Sequence, residues 1–441
     1  MSGPDETDRP GFPVPSRRLS RLFRMGNLAG GVAGATLAGG LREAARGRRP
    51  RFEDLILTPG NAQRIATELS RMRGAAMKVG QLMSMDAGDV MPPEIAAILD
   101  RLRSDADPMP PRQLRDVLGA EWGRDWLKRF DHFDVRPIAA ASIGQVHRAR
   151  TKDGRALALK IQYPGIRDSI DSDIANISGL IRWSGAAPSG LDLRPLLEDA
   201  RRQLHEEADY EREGQNLDLF AAHLAGEEDF VVPRRHADFC TPNVLAMDYV
   251  GGQPVERLTE APQAVRDGIA RRLIALVLRE LFEWGAMQTD PNFANYLVEP
   301  GTERIVLLDF GAVRHFPPDL VAGFRDLMLA GLSRDAVAAR RAAVAVGLMT
   351  EATPPRLADR LLAMFDTGMA PLRSDAPFDF GTTDLAQRLR DMGLEIGTER
   401  EVRHVPPSDT LLIQRKVAGT YLLAARLRAR VDLAGIVAPY R

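Results

Sequence analysis

From about residue 55 to residue 118, apolar positions recur every three to four residues, which predicts helices; "NAQRIATELSRMRGAAMKVGQLMSM" (61–85) is the longest regular piece. "MPPEIAAILDRL" (91–102) opens a second helix on its two prolines, and "DADPMPP" (105–111) breaks the chain. The period then shortens. Residues 132–165 hold two runs of strand type joined at "KDG" (152–154), a hairpin turn. Beyond "SGAAPSG" (184–190) one long helix is predicted over 193–224, then one or two strands within 230–255. Apolar residues return to helical spacing over 264–285. A loop, "MQTDPNFAN" (287–295), leads into the strand "YLVEP" (296–300), a turn, and the strand "RIVLLDFG" (304–311). From Pro317 onward the pattern predicts helices only, and no repeat of fixed period is present.

Strands, one long helix, a short connector and a helical half with a small hairpin give the order of an α+β, bilobed, protein-kinase-like fold. The expected division is a lead over 1–50, a helical extension over 51–130, an N-lobe over 131–255 and a C-lobe over 256–441.

Composition narrows the function classes. The chain has 441 residues, 44% of them hydrophobic and 27% charged, enough for a sizeable core. Its net charge of −1 gives no bulk attraction to nucleic acid, so no nucleic-acid partner is expected. The single cysteine, Cys240, excludes an internal disulfide and fits a reducing compartment. The seven histidines stand apart, without the spacing of a zinc site. Asp5, Glu6 and Asp8 do not suit a signal peptide. Residues 25–41 carry no charge and follow Arg17, Arg18, Arg21 and Arg24. That stretch reads as a flexible Gly/Ala linker, as a membrane-associating segment, or as a helix-pairing one. Gly26, Gly30 and Gly34 have the small-xxx-small spacing that would join two helices in a homodimer.

Three groups fit one chemistry. Lys160, in "ALALKIQ", sits among apolar strand residues and needs an anionic partner, a carboxylate or a phosphate. Asp290 precedes Asn295 by five positions, the kinase spacing of a proton-accepting Asp and a magnesium-holding Asn. Asp309, in "LLDFG", ends an apolar strand where a carboxylate can hold Mg²⁺ and Gly311 lets the backbone turn. Glu206, Glu207, Asp209, Glu211 and Glu213, all on the predicted long helix, are the carboxylates open to Lys160. On one continuous helix Asp209 and Glu213 share a face while Glu207 points elsewhere, so that a single helix could serve two cations.

These residues stand in motifs that resemble the UbiB/AarF atypical kinases, especially their coenzyme Q branch. The marks are "KVGQ" (78–81), "AAASIGQVH" (139–147), "EADYEREGQN" (207–216), "QTDPNFAN" (288–295) and "LLDFG" (307–311). The resemblance runs from about Pro15 to the C-terminus, and the wording "QTDPN" favours the coenzyme Q branch. It implies that Lys160 pairs with Glu213 and touches nucleotide phosphates, that Asn295 and Asp309 bind Mg²⁺, and that Asp290 is the catalytic-loop aspartate. Lys78 and Gln81 would fold over the active site, Lys78 facing Glu207 and Asp209. Ala139, Ala140, Ala141 and Ser142 would replace the glycine loop over the phosphates, and Asp248, Tyr249 and Val250 would offer backbone groups to adenine. Gly214 departs from the family's usual alanine.

The implied function is an ATP- and Mg²⁺-dependent kinase or ATPase supporting ubiquinone biosynthesis at a membrane. The alternative is a nucleotide-gated, lipid-binding scaffold without essential turnover. Its partners would be membrane lipids and quinone-pathway intermediates or enzymes. Its place would be cytoplasmic, attached to the inner membrane peripherally or by one segment, on the matrix side in a eukaryote. Against a conventional protein kinase, no A-P-E follows "DFG", and the chain enters helix almost at once.

Overall fold

The computed structural model describes residues 108–441 apart from Ser142, 185–193 and 398–403, together with Gly74. The described residues form two compact units, one drawn from 1–215 and 234–249, the other from 216–233 and 250–441.

In the first unit, helix α1 (Pro111–Trp122) starts on a proline and buries Leu114 and Leu118. It stops at Gly123, whose φ of 86° belongs to the left-handed region. Strands β1 (Phe130–Phe133), β2 (Ala139–Ala140), β3 (Gly144–Thr151) and β4 (Ala156–Gln162) follow, then helices α2 (Ile166–Ser184), α3 (Arg194–Glu207) and α4 (Tyr210–His223). The chain passes through β5 (Phe230–Val231), which lies in the second unit, and returns as β6 (Val244–Asp248). The sheet order is β1-β3-β4-β6, with β2 also paired to β3. Alternation along β4 buries Leu157, Leu159 and Ile161 on one face and sends Lys160 to the other. Lys160 lies opposite Val146 on one side and Leu245 on the other, so it belongs to an interior strand and not to an edge.

Where β3 begins, Gly144 is required by space. A methyl group there would overlap the Ile161 carbonyl of β4 and come within 2.8 Å of the Tyr210 hydroxyl oxygen. We expect Gly144→Ala to cost at least about 2–3 kcal/mol, because backbone on the neighbouring strand must move. Urea unfolding would measure it, and an unchanged midpoint would refute the packing argument.

The predicted long helix is two helices. The break falls at Ala208 and Asp209, where Asp209 N–H bonds back to Glu206 O in a tighter turn. The Asp209 carboxylate then accepts the Arg212 N–H at 3.0 Å, capping the new helix. Glu207 therefore ends α3 while Glu213 belongs to α4, and no single helix presents both.

The second unit holds β7 (Gln253–Pro254), α5 (Gln263–Phe282), β8 (Ala286–Gln288), β9 (Tyr296–Val298), β10 (Ile305–Leu307) and β11 (Val313–His315). Its sheet runs β5-β10-β9-β7, and β8 pairs with β11. Helices α6 (Pro318–Ser333), α7 (Ala336–Ala345), α8 (Pro355–Met369), α9 (Leu385–Gly397), α10 (Ser408–Arg426) and α11 (Leu433–Val437) complete it. Two short strands, β12 (Phe378–Asp379) and β13 (Arg430–Val431), pair among these helices. Val277, Leu281, Met287, Phe316, Ile413 and Val437 centre its core.

The boundary differs from the one expected at 255/256. Residues 216–233 join the second unit because β5 pairs with β10 and Phe220 packs on Phe310, with ring centroids 5.0 Å apart. Of the extension expected over 51–130, residues 51–73 and 75–107 lie outside the described residues.

Candidate active site

The residues singled out by sequence form two groups, one in each unit. In the first unit, Lys160 Nζ donates to both Glu213 carboxylate oxygens, at 2.8 and 2.9 Å. The Glu213 side chain is only 1% exposed and that of Lys160 12%, so this is a buried, charge-assisted pair rather than a surface one. The Lys160 ammonium also stands 5.3 Å from the Tyr210 ring centroid. Gly214, next to Glu213, has its own packing reason: a methyl group there would come within 2.8 Å of Arg235 Cδ.

The alanine segment departs from expectation. Ala139 and Ala140 are strand, paired with Val146 and Gln145, and the Ala141 N–H is donated to the Gly144 carbonyl at 2.8 Å. Two of the three alanines thus lie in a strand and not in a loop, because β2 finds a partner edge in β3. Ser142, Lys78 and Gln81 lie outside the described residues. Glu207, half-buried, closes α3.

The rest of that motif is structural. His147 Nδ1 donates to the Asp134 carbonyl at 2.8 Å, which leaves Nε2 to accept from Gln145 Nε2 at 2.7 Å. Gln145 Oε1 in turn accepts the Met109 N–H at 2.7 Å. Burial pushes the His147 pKa below its ordinary value, against the pull of Asp134, so the ring stays neutral in this chain of bonds. Gln145 and His147 thereby tie the segment before α1 to the sheet.

Two of the amides in the segment Asp248–Val250 are spent within the fold. Asp248 N–H bonds to Arg234 O at 3.0 Å and Tyr249 N–H to Ala156 O at 2.9 Å. The Asp248 carboxylate meets His236 Nε2 at 2.7 Å. Of the three amides in the segment expected to face adenine, only that of Val250 makes no backbone hydrogen bond among the described residues.

In the second unit two loops are joined at several points. Gln288 pairs with Val313, and Thr289 donates both its N–H (3.1 Å) and its hydroxyl (2.8 Å) to the Ala312 carbonyl. Leu308 N–H bonds to Asn295 O at 3.1 Å. Asn292 caps the short turn Phe293–Asn295 by accepting the Ala294 N–H at 3.1 Å. Asp290, Asn295 and Asp309 therefore stand on one braced loop pair. Asn295 Nδ2 points at Asp290 Oδ2 at 3.3 Å, which turns its side-chain oxygen away from that carboxylate. Asp309 Oδ1 accepts the Gly311 N–H at 2.9 Å. A carboxylate and an amide oxygen are hard donors and suit Mg²⁺, which keeps waters in its remaining positions. Phe310 is buried, and its carbonyl accepts from Asn216 Nδ2 at 3.0 Å.

Sequence reading missed a buried polar network beside this loop. Lys416 Nζ, on α10, donates to Gln288 Oε1 at 3.1 Å and to the Tyr296 hydroxyl at 2.8 Å, and stands 3.8 Å from Glu280 Oε2. Burial raises the Glu280 pKa to about 7 despite the nearby ammonium. For Lys416, burial works downward, but Glu280 and Tyr296 more than offset it and its pKa is raised. Arg415 reaches Asp290 Oδ1 at 3.5 Å. One signal was readable: Leu412, Ile413, Lys416, Gly419 and Leu423 fall on one helical stripe, with the lysine in its middle.

Comparison with known proteins shows the family. Residues 101–343 match the family described as "ABC1 atypical kinase-like domain". The chain is 38% identical over 424 residues to the yeast (Saccharomyces cerevisiae) "Atypical kinase COQ8, mitochondrial", covering 96% of this chain and 84% of the yeast protein. It is 35% identical to the rat (Rattus norvegicus) "Atypical kinase COQ8B, mitochondrial", covering 95% of this chain and 79% of that one. Among solved structures, the complex of Rv3197 with erythromycin from Mycobacterium tuberculosis superposes with a TM-score of 0.59 at 25% identity, over 86% of this chain and 95% of that one. The chain belongs to the ABC1 (UbiB) family of atypical kinases and is an enzyme of that kind on a kinase-like fold.

Proposed function

We propose that the protein is an ATP- and Mg²⁺-dependent atypical kinase or ATPase that supports ubiquinone (coenzyme Q) biosynthesis at a membrane. The buried, bidentate Lys160–Glu213 pair carries this reading. Phosphoryl transfer in kinases needs such a Lys–Glu pair in place, because the glutamate fixes an ammonium that would otherwise sample many rotamers. Here Lys160 holds phosphate oxygens, Asp290 accepts the proton of the attacking hydroxyl or water, and the Val250 amide addresses the base. Asn295 and Asp309 would hold Mg²⁺, which when bound neutralises phosphate charge. In this reading Lys78, Gln81, Ser142 and Glu207 keep the roles that the family resemblance gives them.

The acceptor is water or a small or lipid-like molecule. Between Asp309 and α6 the chain makes only the short strand β11, leaving little segment on which a peptide could dock. The relatives named COQ8 are mitochondrial, which supports action beside an energy-transducing membrane. Among the described residues no helix is long and apolar enough to cross a membrane. Residues 25–41, the stretch the sequence offers for lipid contact or for a homodimer through Gly26, Gly30 and Gly34, lie outside the described residues.

The test is the quinone and precursor profile of cells lacking the protein, and of such cells carrying Asp290→Asn. Loss of quinone with accumulation of early precursors is expected in both. An unchanged profile in the deletion would overturn the pathway. Full restoration by Asp290→Asn would favour the nucleotide-gated lipid scaffold.

A further inference from the structure

The loop from Gln288 to Asn295 contains no lysine or arginine. Phosphoryl transfer nevertheless spreads negative charge over the equatorial oxygens of the moving group, where a cation supplied from elsewhere in the chain stabilises it. Helix α10 brings one. Arg415 Nη2 lies 3.5 Å from Asp290 Oδ1, with the Arg415 side chain 16% exposed and that of Asp290 29%.

Two features separate this arginine from a structural one. First, its bonds are not saturated. Its Nε is buried without a hydrogen-bond partner, and the long contact to Asp290 is its one polar contact among the described residues. Buried arginines that hold the fold together use the rest of their fork: Arg373, whose Nε is likewise buried without a partner, still donates through Nη1 to the Gly331 carbonyl and Asp366 Oδ1, at 2.7 Å each, and through Nη2 to the Asp366 carbonyl at 2.9 Å. Second, its backbone is tightly placed. Lys416, the next residue, is bonded to Gln288 and Tyr296, which bracket the loop. One turn on, Gly419 lies so close to Pro291 that a methyl group would overlap the proline ring. A guanidinium held in position yet short of partners is preorganised for an anion that arrives later.

We propose that Arg415 is a catalytic residue, the cation supplied in cis from α10, resting against Asp290 and binding the oxygens of the transferring phosphoryl group during turnover. In the step it serves, the acceptor oxygen bonds to phosphorus as the bond from phosphorus to the nucleoside-diphosphate oxygen breaks. The acceptor proton passes to Asp290 and on to solvent; Arg415 gives up neither proton nor electrons. The proposal rests on the ATP-dependent reading above.

The experiment compares ATP turnover, nucleotide affinity and melting temperature in the full chain carrying Arg415→Gln, Arg415→Lys or Arg415→Ala. Arg415→Gln is expected to lose at least about 100-fold in kcat while its nucleotide Kd stays near that of the wild type. Arg415→Lys should recover part of the loss, since it keeps the charge but not the fork. Millimolar guanidinium ion should partly restore Arg415→Ala. Wild-type turnover in Arg415→Gln would overturn the proposal. So would a loss that follows melting temperature and nucleotide affinity and does not respond to lysine or guanidinium. A wild type that does not turn over ATP at all would overturn the ATP-dependent reading itself, and Arg415 with it.

Discussion

Asp309→Asn is expected to reduce ATP turnover by at least about 10²–10³-fold while the protein stays folded. The substitution removes the carboxylate charge and keeps the shape of the side chain. Asn at this position keeps a side-chain oxygen to accept the Gly311 N–H, as Oδ1 does now at 2.9 Å. The turn is further held by Phe310, buried against Phe220, and by the bond from Asn216 to the Phe310 carbonyl at 3.0 Å. The loss should therefore fall on the hard cation that Asp309 and Asn295 are suited to hold. An amide oxygen binds Mg²⁺ far less well than a carboxylate. Raising Mg²⁺ should recover some turnover in the variant and none in the saturated wild type. Steady-state kinetics across a Mg²⁺ titration, beside a thermal melt, checks this. Undiminished turnover at low Mg²⁺ would remove Asp309 from the site.

How much of this was legible follows from how local each signal is. Lys160 could be read because strand alternation fixes its face: Leu157, Leu159 and Ile161 go to the core and the lysine goes opposite. The loop containing Asp290, Asn295 and Asp309 could be read because turns and spacing are properties of short stretches. The split between α3 and α4 was locally signalled too, by Asp209 ahead of Glu211 and Glu213 in a first turn, but the helical pattern on both sides concealed it. The alanine segment could not be read. Whether Ala139 and Ala140 form a loop or a strand is decided by the edge of β3, not by alanine. Arg415 and Lys416 were least legible, because their partners lie 125 and 128 positions away, at Asp290 and Gln288. Fold topology alone brings those stretches together.

Lys416→Met should be the most damaging single change for stability in the second unit, at about 3–5 kcal/mol. The side chains of Lys416 and Glu280 are 2% and 1% exposed, so removing the ammonium leaves a carboxylate that water cannot reach. Tyr296 and Gln288 also lose their donor, and Gln288 Nε2 is already buried without a partner. The deficit should depend on pH in a definite direction. Burial raises the Glu280 pKa from 4.5 to about 7, so the folded state holds that proton more tightly than the unfolded state does. The associated stabilisation is complete below pH 4.5 and is lost as pH rises toward 7. Without the lysine to oppose burial, the folded pKa climbs further and the loss continues above pH 7. Urea unfolding should therefore show a larger deficit at alkaline pH and a smaller one near pH 5. The double variant Lys416→Met with Glu280→Leu should recover much of the stability, since it buries no charge at all. An equal deficit at both pH values, or no recovery in the double variant, would show that the pair is not held as a buried ionic couple. Because Lys416 braces the loop through Gln288 and Tyr296, turnover in the double variant should stay low even where stability returns. That separation would show that the network positions the catalytic loop as well as stabilising the fold.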